Sequence, residues 1–243
     1  MKVFKSKSRS RFRLKDTIHK ISIVYLSLLC ICYTLLLSGC TKNNQKGIYE
    51  ICSNINSPCE KNKVNIVLKT SKGNFIIQLD GDKSPVTVGN FLDLVDRGIY
   101  NGTRFHRVIN NPFSFIIQGG DPFSKNYQKV KNKYGKGNFV DPKTGRVRYI
   151  PLEIKLKSEE FPRYNQAIKS TVNISNIELK HKKGSISMAR SEDLDSASSQ
   201  FYISLQSLPE LDGRYSVFGS IVKGIEVIEL IQESDFIIKA ERI

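Results

Sequence analysis

The stretch Phe105-His-Arg-Val-Ile-Asn-Asn-Pro-Phe-Ser-Phe-Ile-Ile-Gln-Gly-Gly-Asp121 restricts what this chain can fold into more than any other. Two apolar runs, Val108-Ile109 and Phe115-Ile116-Ile117, flank an Asn-Asn-Pro turn, which predicts paired strands. Alternation puts Arg107 on one face with Phe105 and Ile109, and Gln118 on one face with Ile116. A charged donor and an amide therefore stand where a plain core hairpin would carry Val or Thr. Two readings fit. One is a half-apolar, half-polar binding surface; the other is an arginine whose stem lies on the sheet while its head reaches water.

The remaining pattern is mainly β. Val64–Thr70 alternates, Ser71-Lys-Gly-Asn turns, and Phe75–Leu79 returns, which predicts a hairpin. Ser84-Pro85 then opens a helix as N-cap and first residue, with Val88, Phe91, Leu92 and Val95 on one face and Gly98 as its stop. Gly184–Ser191, Gln200–Ser204 and Ser216–Val222 read as strands, Val227, Ile228 and Ile231 as a second amphipathic helix, and Phe236–Ala240 as a last strand. About eight strands and two helices with short connections predict a closed eight-stranded antiparallel β-barrel capped by two α-helices. Phe105, Phe201 and Phe218 belong to its core by alternation. His106 reads as a packed framework residue, and Asp121 and Asp212 as structural turn residues. Between Asp121 and about Lys180 periodicity is weak, and the first half is basic (Lys125, Lys129, Lys131, Lys133, Lys136, Lys143, Arg146, Arg148) against Asp141 alone. That is either a solvated loop or a docking surface for anionic lipid or an acidic partner.

The N-terminal segment bears on location. Residues 1–39 hold eight Lys/Arg and one acid, then an uncharged run from Ile21 to Leu37. Taking them from the totals of 38 and 23 leaves 30 basic against 22 acidic residues for 40–243, a net +8 in place of +15. No nucleic-acid recognition motif accompanies that charge, so nucleic acid is not an expected partner. Basic region, apolar region and small residues make 1–39 a secretory signal. Leu37-Ser-Gly-Cys40 resembles the bacterial lipoprotein signal box, which implies cleavage before Cys40 and lipid on it. The globular part is then held at a membrane of the cell envelope, facing the periplasm or exterior. Residues 40–63 read as a flexible tether in which Cys52 and Cys59 either form a local disulfide or stay as free thiols.

From about Val64 onward the chain resembles the cyclophilin-type peptidyl-prolyl cis-trans isomerases. The resemblance rests on Phe105–Ile109, Phe115–Asp121, Gly184–Arg190, Ser199–Ile203 and Leu211–Gly219, five motifs in order. It implies a barrel with a peptide groove on its outer face, proline-containing polypeptides as substrates, a monomer, and activity without metal or cofactor. Carried over, Arg107 matches the catalytic arginine, and Phe115, Ile116, Tyr202 and Leu211 the proline pocket. Gln118 and Gln200 match polar groove residues, Ala189-Arg190-Ser191 the backbone segment that pairs with substrate, and Tyr215 the ring at the pocket mouth. Asn110–Ser114 lengthens a turn, Tyr202 replaces the usual phenylalanine, and Glu210 stands where eukaryotic members carry a tryptophan tied to cyclosporin binding. The family's Gly-Thr-Gly-Gly loop is replaced by the basic insertion, at about 122–180. The expected activity is rotation about X–Pro bonds of secreted or envelope proteins. The alternative is a low-turnover chaperone or surface binding module on the same fold.

Overall fold

The computed structural model describes residues 47–125 and 133–243. The signal 1–39, Cys40, Lys129 and Lys131 lie outside the described residues. Contacts divide the chain after Gly47, and the unit Ile48–Ile243 carries the sheet and the candidate site.

Eight strands form one antiparallel sheet in the order β10-β1-β2-β9-β7-β8-β4-β3. They are β1 (Lys63–Thr70), β2 (Gly73–Asp80), β3 (Arg107–Ile109), β4 (Ile116–Gly119), β7 (Ser185–Met188), β8 (Phe201–Ser204), β9 (Val217–Lys223) and β10 (Ile237–Arg242). The expected closure is not met, and the sheet is a curled half-barrel. Its outer strands β3 and β10 share no ladder. Among the described residues the gap is spanned by the isolated bridge Arg104↔Phe236, by a few backbone bonds such as Gly102 N–H to Ile237 O at 2.7 Å, and by side-chain bonds such as Arg104 Nη1 to Ser234 O at 2.6 Å. β3 is three residues long and begins after this bridge, so the two edges have no common length to pair.

Four helices are described rather than two: α1 (residues 47–54), α2 (Pro85–Asp96), α3 (Thr171–Ser175) and α4 (Val227–Leu230). Where a flexible tether was expected, α1 buries Ile48 and Cys52 in the main core. A Cys52–Cys59 disulfide, with Cα atoms 5.8 Å apart, ties its end back. The arm then passes so close to α2 that a Cβ on Gly89 would lie 1.8 Å from Pro58 O. That approach explains a glycine inside a helix, where it otherwise costs about 1 kcal/mol. No helix among the described residues is long and apolar enough to cross a membrane.

The start of α2 departs from the expected cap. Ser84 occupies the N-cap position, but its hydroxyl donates to Val217 O at 3.1 Å. The cap comes instead from Glu153 on β5 (Glu153–Ile154), which pairs with β6 (Arg163–Tyr164). The Glu153 carboxylate accepts from Val86 N at 3.1 Å, Thr87 N at 2.8 Å and the Tyr164 hydroxyl at 2.8 Å. The weakly periodic region is thus ordered where it is described. It carries a small core of its own, with Leu152, Ile154, Leu156, Ile168 and Ile177 buried. Arg148 is no part of a solvated basic run. Its side chain is 2% exposed, pairs with Asp93 at 2.7 Å and lies over the Phe139 ring at 4.5 Å. The main core fills the concave side of the sheet, where Phe91 stacks on Tyr100 at 4.7 Å and packs against Phe201 and Phe218. Phe105, Phe201 and Phe218 are fully buried, as expected.

Candidate active site

The register of three strands builds one wall of the site. Arg107 on β3 faces Gln118 on β4, and Gln118 faces Tyr202 on β8. Arg107 is exposed and Ile109 packs with the outer-face residues, but Phe105 does not share their face. It precedes the strand and turns into the core, so alternation could not be extended back to it.

The polar groups form a chain with one direction. Gln200 Nε2 donates to Gly137 O at 2.8 Å, Gln118 Nε2 donates to Gln200 Oε1 at 3.0 Å, and Arg107 Nη1 donates to Gln118 Oε1 at 3.5 Å. A backbone carbonyl can only accept. Gly137 O therefore sets the orientation of the Gln200 amide, which sets that of Gln118 and leaves its oxygen towards the guanidinium. Gly137 itself is pressed on Asp121: a Cβ there would lie 1.9 Å from Asp121 Oδ1. Asp121 is structural, fully buried and accepting from Phe123 N at 2.7 Å.

Beside this chain lies a separate apolar cluster of Ile116, Tyr202 and Leu208, flanked by Ile109, Phe115, Ala189, Leu211 and Tyr215. Tyr202 and Tyr215 meet edge to face at 5.8 Å. All four expected pocket residues belong to this cluster, together with Tyr215. Ile109 lies on the Arg107 face as alternation predicted, whereas Leu208 was not foreseen and no motif position pointed to it.

The Tyr202 hydroxyl, an oddity in the sequence, has a partner. It meets His181 Nε2 at 2.9 Å, and His181 Nδ1 meets Asp212 Oδ1 at 2.8 Å. Asp212 Oδ1 also accepts from His181 backbone N at 2.8 Å. A carboxylate can only accept, so Nδ1 carries the proton and Nε2 accepts the tyrosine O–H. Burial lowers the His181 pKa, against the opposing pull of Asp212, and so favours this neutral ring. Burial likewise raises that of Tyr202. His181 was missed because its partners lie 21 and 31 residues away.

The segment Ala189–Ser191 closes the other side. Ala189 N–H donates to Gln200 O at 2.9 Å. The Arg190 guanidinium is turned to its own loops, donating to Arg214 O at 2.9 Å and Ser191 O at 2.7 Å and covering the Tyr215 ring at 4.8 Å. Ser191 is held by Ser196, whose hydroxyl oxygen accepts from Ser191 N at 2.9 Å. Between this segment and the two glutamines opens a hollow of about 280 Å³, rimmed also by Lys136 and Tyr149. Of the ten expected groove residues, Gln118, Ala189, Arg190, Ser191 and Gln200 line this hollow, while Phe115, Ile116, Tyr202, Leu211 and Tyr215 belong to the apolar cluster beside it: a cation and amides of set orientation stand along one edge, apolar side chains along the other. Such a surface can seat a small apolar ring while a charged donor reaches a neighbouring lone pair.

Residues 65–241 match the family described as cyclophilin type peptidyl-prolyl cis-trans isomerase/CLD. A Synechocystis protein named as a thylakoid lumen peptidyl-prolyl cis-trans isomerase is 34% identical over 196 residues, 76% of this chain and 48% of that one, so the match spans about half its length. Peptidyl-prolyl cis-trans isomerase A of Dickeya dadantii is 36% identical over 173 residues, 69% of this chain and 70% of the relative. Among solved structures, a Cryptosporidium parvum cyclophilin type isomerase in the presence of the dipeptide Ala-Pro superposes with a TM-score of 0.55 at 27% identity. It covers 74% of this chain and 98% of that one.

Proposed function

The chain belongs to the cyclophilin-type peptidyl-prolyl cis-trans isomerases, and we propose that it turns X–Pro bonds of polypeptides outside the cytoplasm with Arg107 as its catalytic residue. The observation that carries this is the oriented series Arg107–Gln118–Gln200 alongside the apolar cup of Phe115, Ile116, Tyr202, Leu211 and Tyr215. Rotation about an X–Pro bond meets a barrier of about 18–20 kcal/mol because the nitrogen lone pair is delocalised into the carbonyl. In the twisted transition state that lone pair localises on nitrogen and can accept a hydrogen bond. The guanidinium then binds the transition state better than the planar ground state, while the cup holds the ring still. Gln118, Gln200 and the backbone of Ala189–Ser191 hold the flanking chain, leaving the carbonyl side to swing. The Tyr202 hydroxyl is occupied by His181 and does not obstruct the cup.

A charged hydrogen bond gained only in the transition state, at about 1.5–3 kcal/mol, accounts for roughly tenfold to hundredfold in rate. Exchange kinetics on a short X–Pro peptide test this. Arg107→Ala is expected to lower kcat by that factor with little change in KM, and Arg107→Lys to recover only part of it. An undiminished kcat in Arg107→Ala refutes the assignment.

The location follows from Leu37–Cys40 and is consistent with the Synechocystis relative being named for the thylakoid lumen. Lipid on Cys40 would hold the domain at a membrane, where secreted or envelope polypeptides are its substrates. Cys40→Ala is expected to give soluble protein or unprocessed precursor; a mature-sized, membrane-bound product would contradict the anchor.

A further inference from the structure

A second hollow, of about 460 Å³, lies between the N-terminal arm (Asn54, Ile55, Asn56) and the loop from Asp141 to Tyr149. It is a built cleft rather than a gap between loose segments. On one side the arm is closed by the Cys52–Cys59 disulfide. On the other, the buried Arg148 guanidinium donates to Asn56 O at 3.0 Å and to Asp93 at 2.7 Å, and the Asn56 amide donates to Asp141. Arm, loop and α2 are therefore bound to one another through Arg148, with Asn56–Asp141 as a second link between arm and loop. The cleft adjoins the active groove: Tyr149, 45% exposed, borders this hollow and the one beside Gln118 and Gln200.

The charges along this path lie unequally. Asp141 is buried and satisfied by Asn56 and by Lys143 N at 2.9 Å. Arg148 is buried and paired. What the cleft offers outward is the exposed Arg146 on its rim, with exposed Lys136 on the rim of the adjoining hollow. An extended polypeptide leaving the groove past Tyr149 meets a rigid, hydrogen-bonding channel with cationic edges.

We propose that this cleft is an accessory binding site for the substrate polypeptide, which takes an acidic segment several residues from the isomerised proline. It rests on the isomerase reading, since the occupant is that enzyme's own substrate. Binding a flank several residues away from the reacting bond adds affinity without altering the chemistry at that bond, so it acts on KM and not on kcat. The pre-formed walls limit the ordering lost on binding.

The test uses the full-length protein with its disulfide intact and three probes: a four-residue X–Pro peptide, a twelve-residue peptide with Asp/Glu on both flanks, and its Lys-flanked counterpart. KM and, by fluorescence anisotropy, Kd are measured for the wild type, Arg146→Ala, Tyr149→Ala and Lys143→Ala. Lys143 is an exposed neighbour that does not line the cleft. The acidic twelve-residue peptide is expected to bind about five- to tenfold more tightly than the other two. Arg146→Ala should erase that advantage while leaving turnover of the four-residue peptide unchanged, Tyr149→Ala should erase it as well, and Lys143→Ala should preserve it. Equal affinity for the acidic and Lys-flanked peptides overturns the proposal. So does an equal loss in Lys143→Ala, which would reduce the effect to net charge. Loss of anionic-vesicle binding in Arg146→Ala with peptide affinity intact also overturns it and assigns the rim to a membrane. Absence of turnover on every peptide, with the anisotropy differences preserved, would refute the isomerase reading and not the cleft.

Discussion

Replacing Tyr202 by Phe removes one oxygen from the floor of the apolar cup and separates what the ring does from what the hydroxyl does. The ring is 3% exposed and meets Tyr215 edge to face at 5.8 Å, a contact that phenylalanine keeps. The hydroxyl meets His181 Nε2 at 2.9 Å, and the His181 side chain is fully buried. In Tyr202→Phe that nitrogen faces a hydrocarbon edge with no donor. Leaving a buried acceptor unsatisfied costs about 1–3 kcal/mol. For a domain of this size that lowers Tm by roughly 3–10 °C. Urea unfolding at pH 7.5 reads the energy. In the same variant KM for a short X–Pro peptide should stay within about twofold, because the ring surface offered to proline is unchanged.

The pairing itself is measured by a cycle with His181→Leu. That change strands the Tyr202 hydroxyl and takes one of the two hydrogen bonds to Asp212 Oδ1, leaving it the backbone N–H of residue 181. Tyr202→Phe in the His181→Leu background should then cost less than in the wild type, by about 1 kcal/mol or more. Strict additivity would refute the hydrogen bond. A Tyr202→Phe enzyme of unchanged stability but strongly raised KM would refute it differently, by placing the hydroxyl towards substrate.

Three further outcomes follow from the packing. Arg148→Ala strips Asp93 of its buried partner, leaving it Arg97 at 2.8 Å, and opens the junction of arm, loop and α2, with an expected loss of about 1.5–3 kcal/mol in urea unfolding; Arg148→Met, which keeps the stem against Phe139, should lose less. Burial raises the Glu153 pKa, although the amides of Val86 and Thr87 and the Tyr164 hydroxyl oppose it. Between the ordinary glutamate value and the raised native one the folded state holds the extra proton, so this residue's contribution falls as pH rises through that window. The stability difference between wild type and Glu153→Gln should shift against the wild type across the same window, and a flat difference would contradict the raised value. The Cys52–Cys59 bridge spans seven residues, a loop worth roughly 2–3 kcal/mol of chain entropy. Reduction should raise amide exchange in the arm while the β-sheet stays protected; unchanged exchange would mean packing alone holds the arm.

Some of this architecture is legible in the sequence because it is local. The hairpin of β1 and β2 and the span of α2 follow from alternation, a Ser-Pro start and Gly98 as a stop, all within a dozen residues. The arm was legible too, but a Ser/Asn/Lys-rich composition masked it: Ile48, Ile51, Cys52 and Ile55 stand at helical spacing. Gly89 inside α2 was the second sign, since an interior glycine asks what approaches it, and the answer is Pro58 O. Closure of the sheet was not legible. It depends on how much length two edge strands share, and β3 has only three residues and begins after the Arg104–Phe236 bridge.

The site divides in the same way. Arg107 and Gln118 could be read as polar residues on two paired strands because a turn joins the two apolar runs; that they stand opposite each other comes from the register. The direction of the amide chain could not, because it is decided by Gly137 O in a region with no periodicity, and Gly137 is itself placed by Asp121. Tyr202 makes the point most sharply. Read alone, a hydroxyl in an apolar pocket is a cost of about 1–3 kcal/mol. His181 cancels that cost, and Asp212 holds His181 in the one tautomer able to do so. A substitution at the pocket floor is therefore interpretable only with the two residues behind it. The same holds for Glu153, which caps α2 because Ser84 has turned to Val217 O. In each case a residue that breaks the local rule is compensated by a long-range partner, and it is the partner, not the rule, that fixes what the site can bind.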